Sequence, residues 1–170
     1  QERHKMLSDR FLALLASAKD ATFISRVEEK WLAEGLPQSL YKSIQNYYNH
    51  LKETGSDLAS GGLPTADNAT SGGPEKGAFW KTWDQSLTDE KLISYNNQLS
   101  LFLDKEFDPG STIDKELEIT IFELKKFYLI SRREQIAAEL KQAEALSDQS
   151  RLAELEKDFN EIGHEIKSLN

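Results

Sequence analysis

Cysteine is absent from all 170 residues, which removes disulfides, thiolate metal ligands and cysteine nucleophiles together. Any redox compartment tolerates such a chain, and a reducing cytoplasm fits it best. Long apolar runs are also missing: nothing approaches the roughly 20 residues that a membrane-spanning helix needs. The opening Gln1-Glu2-Arg3-His4-Lys5 leads straight into an amphipathic pattern, so no signal peptide is read there. The lack of a starting methionine is taken as the mark of a fragment of a longer polypeptide. Positive charge is scarce. The formal net charge is −8 and the pI is near 5.0. An acidic chain without a basic stretch binds duplex DNA or anionic membranes poorly, because neutralised phosphates supply most of that affinity. Neither direct nucleic-acid binding nor membrane binding is expected.

Chemistry-bearing patterns are equally sparse. His4, His50 and His164 are scattered without the spacing of metal ligands and read as surface or helix-face residues. The pairs Gly61-Gly62 and Gly72-Gly73 lie in low-complexity sequence, not between a strand and a helix, so they do not make a phosphate loop. Asn68-Ala69-Thr70 matches a glycosylation sequon that has no meaning without secretion. None of the many carboxylates stands in an apolar setting that would raise its pKa. No catalytic residue, metal site or cofactor is therefore expected, and the fragment reads as non-enzymatic.

What the chain does have is helical periodicity. Met6, Leu7, Phe11, Leu14 and Leu15 share one face of a helix over about 3–17. A second helical stretch is predicted after Asp20, a natural N-cap, with Phe23, Ile24, Val27, Trp31 and Leu32 inward and Gly35 as its stop. Pro37 sits where a first-turn proline belongs, and Leu40, Tyr41, Ile44, Tyr47, Tyr48 and Leu51 give the third apolar face. Residues 55–77 are rich in Gly, Ser, Thr and Asp and poor in large apolar residues; they read as a flexible loop inside the domain. Phe79, Trp80 and Trp83 then mark a short helix and read as core rather than as an aromatic platform. Thr88 is the predicted cap of the next helix, whose apolar positions run from Leu92 to Phe107 and which Asp108-Pro109-Gly110 stops.

From Ser111 or Thr112 a helix without Gly or Pro extends over Ile113–Ala145, about 50 Å at 1.5 Å per residue. Up to Ile130 its apolar residues, Ile119 and Phe122 among them, cover most of the circumference, which predicts burial on several sides. Beyond Arg132 they thin to Ile136, Leu140, Ala143 and Leu146. After a break with Ser147 as candidate N-cap, Leu152, Leu155, Phe159, Ile162, Ile166 and Leu169 form an uninterrupted a/d stripe. The expectation is an all-α fold: an N-terminal helical bundle over 1–130, then a long protruding C-terminal antiparallel helical hairpin over 131–170 whose first helix is continuous with the bundle. Antiparallel pairing would set Lys141 opposite Glu154 and Arg133 opposite Glu161, with Glu154, Asp158, Glu161 and Glu165 as an acidic row.

The order of elements carries a resemblance. The opener Arg10-Phe11-Leu12-Ala13-Leu14-Leu15 precedes a three-helix unit, a variable loop and a second helical set. The chain closes on Glu116-Leu117-Glu118, Glu123-Leu124-Lys125-Lys126, Ser131-Arg132-Arg133-Glu134-Gln135-Ile136 and a Ser-Asp turn before the last helix. Over essentially its whole length the chain resembles the C-terminal helicase-binding domain of bacterial DnaG-type primases. That resemblance rests on helix order and charged-helix texture, not on an invariant signature, and the Gly/Ser-rich insert at 55–77 departs from it. It implies a cytoplasmic bacterial module that docks the primase onto the N-terminal collar of the hexameric replicative helicase. The catalytic and zinc-binding parts would lie upstream. In some members of that family the opening helix also holds the acidic C-terminal tail of single-stranded-DNA-binding protein.

Two candidate surfaces follow. A two-helix layer covers its a/d stripe from one side only, so a partner is expected on what stays exposed towards the free end: Phe159, Glu161, Ile162, Glu165, Ile166, Lys167 and Leu169. Arg3, Lys5 and Arg10 are the cations that would hold the acidic tail by charge-assisted hydrogen bonds. The chain should be a monomer on its own. The competing reading is a helical scaffold or adaptor, unrelated to replication, that self-associates through the stripe.

Overall fold

A computed structural model of the chain describes residues 1–55, 78–106 and 112–170, with the backbone alone at 103–106. Apart from Gly55, the expected loop at 55–77 lies outside the described residues, as does the Asp108-Pro109-Gly110 stop. Among the described residues all regular structure is helical: α1 (Glu2–Ser17), 3-10 turns at Ala21–Arg26 and Glu29–Trp31, α2 (Leu36–Glu53), α3 (Ala78–Ser86), α4 (Glu90–Glu106), α5 (Ile113–Ala145) and α6 (Gln149–Leu169). The fold is all-α. The chain divides into two compact units, Gln1–Phe122 and Glu123–Asn170.

In the first unit α1 packs against α2, α4 and the first 3-10 turn, and α2 packs against α4 and both 3-10 turns. Phe11, Leu12, Leu14 and Leu15 of α1 are buried as their spacing predicts, but Met6 stays 58% exposed. It lies one turn outside the covered face. The segment after Asp20 is not the predicted α-helix. The Asp20 carboxylate accepts the Thr22 backbone N–H at 2.9 Å and starts a 3-10 turn, but Val27 and Glu28 are extended. The buried Tyr41 hydroxyl lies 2.6 Å from the Ile24 carbonyl and 2.7 Å from the Val27 carbonyl. This shared donor satisfies oxygens that an α-helix would have used internally. Gly35, with φ +95°, begins α2 rather than ending the previous element.

Phe79, Trp80 and Trp83 are core residues, as predicted, each 2% exposed or less. Trp80 stands edge-to-face with Phe79 at 4.7 Å and with Trp83 at 6.1 Å, a favoured geometry for ring quadrupoles. Its indole N–H donates to the Ala18 carbonyl at 2.8 Å. The buried Trp83 N–H meets no acceptor among the described residues. Asp89, not Thr88, caps α4: its carboxylate accepts the Lys91 backbone N–H at 2.9 Å. Thr112 caps α5 through the Lys115 N–H at 3.3 Å. The first turns of α5 bury Leu117, Thr120, Ile121 and Leu124 but leave Ile119 44% and Phe122 41% exposed. Apolar residues all round a helix thus overstated its burial here, because neighbours cover only one side.

The second unit holds the rest of α5 together with α6. Ile136, Ala143 and Leu155 form its core, with Leu140, Leu152, Phe159 and Ile162 packed on it. The turn between the helices corrects the predicted cap. Ser147 adopts φ +52°, its N–H bonds to Glu144 O at 3.1 Å, and the Asp148 N–H bonds to Ala143 O at 3.1 Å. That pair of bonds is a Schellman C-cap of α5. Asp148 then caps α6 by accepting the Arg151 N–H at 3.1 Å.

Candidate functional site

Two places carry the sequence-predicted residues, one in each unit. On α1 in the first unit, Arg3 is exposed, but Lys5 and Arg10 already have carboxylates of their own. Lys5 Nζ lies 2.7 Å from Asp9 one turn on, and Arg10 reaches Glu116 on α5 at 2.5 Å. Asp9 also accepts the hydroxyl of Tyr95 on α4. Burial, then the bond to Asp9, pushes the Tyr95 phenol well above its ordinary value. A bidentate pair ties Arg26 of the first 3-10 turn to Glu118 at 2.5 and 2.7 Å. The hydrogen bonds from Arg26 hold the Glu118 carboxyl below its usual range. These pairings bridge 86, 106 and 92 residues of sequence, so no local pattern announces them.

In the second unit the side-chain pairs advance along α6 as they retreat along α5. Glu139 meets Arg151 at 2.9 Å, and Lys125, fourteen residues back, meets Glu165, fourteen residues on, at 3.7 Å. Arg132 turns to Glu139 at 3.5 Å. The predicted cross-helix pairs are not formed: Glu154 meets Arg151 at 3.7 Å and Glu161 meets Lys157 at 4.0 Å, both on their own helix. The seam placed Arg151 and Glu165, not Glu154 and Glu161, towards α5. Of the predicted docking residues, Ile166 is buried, Phe159 and Ile162 pack half-buried on the core, and Leu169 is half-buried. Glu161, Glu165 and Lys167 are exposed. The α6 stripe therefore brings the apolar candidates together on one face, with the charged ones beside them.

The other edge of the same layer differs. There Lys126 reaches the Asn170 amide oxygen at 3.5 Å. Arg133 is half-buried and has no carboxylate partner among the described residues. A methyl group built on Gly163 meets nothing within 4 Å.

The described residues also line two clefts. A cleft of about 340 Å³ is lined by Leu36, Glu90, Lys91, Ser94, Tyr95 and Gln98, and a second of about 350 Å³ by Glu28, Glu29, Lys30 and Gln38. The Tyr95 hydroxyl in the first is committed to Asp9. His4 lies 2.8 Å from the Trp31 carbonyl, and His50 and His164 are exposed. Among the described residues no cluster of three or more His, Asp or Glu is placed to hold a metal, and no helix is long and apolar enough to cross a membrane. Comparison with known proteins finds no matching family model, no matching curated protein and no matching solved structure.

Proposed function

We propose that this chain is the helicase-binding domain of a bacterial DNA primase. It would act without chemistry of its own, as a helical bundle with a protruding C-terminal antiparallel hairpin. The hairpin docks the primase onto the N-terminal collar of the hexameric replicative helicase in the bacterial cytoplasm.

The observation that carries the reading is the half-covered stripe of the second unit. Leu152, Phe159, Ile162 and Leu169 remain partly in water although each is worth about 1.5–3 kcal/mol when fully buried. A partner helix laid on that face would complete their burial. The whole-chain resemblance in helix order supplies the identity of the partner. Truncation after Asn160 removes Ile162, Ile166 and Leu169 and should abolish co-purification with the hexamer; unchanged affinity would refute the assignment of the docking end.

The same stripe also supports the self-associating scaffold. A concentration-dependent rise in mass of the isolated chain would favour it, whereas the docking reading requires a monomer. For the acidic tail of single-stranded-DNA-binding protein, Lys5 and Arg10 could bind only in competition with Asp9 and Glu116, so Arg3 is the cation most open to it. An Arg3→Ala, Lys5→Ala, Arg10→Ala triple variant that binds the tail peptide like wild type would remove this second site.

A further inference from the structure

We draw no further inference here: the strongest candidate, the cleft of the first unit lined by Leu36, Lys91 and Tyr95, carries nothing, because the buried Tyr95 hydroxyl is already held by Asp9 and nothing in the structure shows what covers the exposed Leu36.

Discussion

In the first unit Phe11, Tyr41, Trp80 and Trp83 are enclosed from every side, whereas in the second the shared core is Ile136, Ala143 and Leu155, and Phe159 and Ile162 remain half-exposed. Polar groups differ in the same sense. The Asp9–Tyr95, Arg10–Glu116 and Arg26–Glu118 pairs join elements far apart in sequence, while the second unit relies on heptad-spaced ion pairs across one edge. The contrast is one of how each core is assembled. The first unit encloses large aromatic rings between elements distant in sequence; the second builds its core from two helices alone and leaves Leu152, Phe159, Ile162 and Leu169 half-covered.

The largest effect expected from this contrast is on the cores. Trp80→Ala should cost about 3–5 kcal/mol, since it empties an indole-sized space and strands the Ala18 carbonyl. Ile136→Ala should cost about 2 kcal/mol, at the lower end for such truncations, because a two-helix layer can collapse around the gap. Urea denaturation of both variants reads the difference, and equal costs would break the comparison. All three tryptophans lie in the first unit, so fluorescence reports that unit alone and helicity reports both.

Alkaline pH sharpens the comparison further. The folded Tyr95 phenol has a raised pKa, through burial and the Asp9 carboxylate, and burial raises Tyr41 likewise. A raised folded pKa means that the native state holds its proton longer than the unfolded chain. That stability is complete below the unfolded value of about 10 and drains away as pH rises beyond it. Tryptophan-monitored stability should therefore fall above pH 10, and Tyr95→Phe should lessen the slope. An identical slope in the variant would assign the effect elsewhere.

Gly163→Ala should stabilise α6 by up to about 1 kcal/mol, visible in helicity but not in tryptophan fluorescence if the units melt separately. The smallest effect belongs to Glu118. Its pKa is lowered by Arg26, so its contribution is present above the unfolded carboxylate value and is lost as pH falls through the lower folded one. Both side chains are about half exposed, and solvent screening keeps the effect slight. Glu118→Gln should slightly flatten the acid limb of the stability curve.

How far the fold was legible follows the same division. Helix existence could be read from the 3.6 period in α1, α2, α5 and α6, and the Phe79-Trp80-Trp83 triplet announced a core. The segment 21–32 could not be read this way, because its apolar spacing suits a helix and only the distant Tyr41 hydroxyl reveals why the backbone extends at Val27. Ile119 and Phe122 misled for a related reason: sequence shows how apolar a helix is, not how many neighbours it has. The α6 stripe was plain, but which flank faces α5 depended on register, and so Glu154 and Glu161 were given partners on α5 that they do not meet, Glu165 of the acidic row meets Lys125, and Arg151 was passed over.

Docking of the second unit on a hexameric helicase is the proposal to test first. Light scattering after size exclusion tests it most directly, on the chain alone and then mixed with the replicative helicase of the same organism. The expected result is a monomer near its 19.3 kDa chain mass that moves into the hexamer peak on mixing. A stable self-dimer that leaves the hexamer peak unchanged would contradict it.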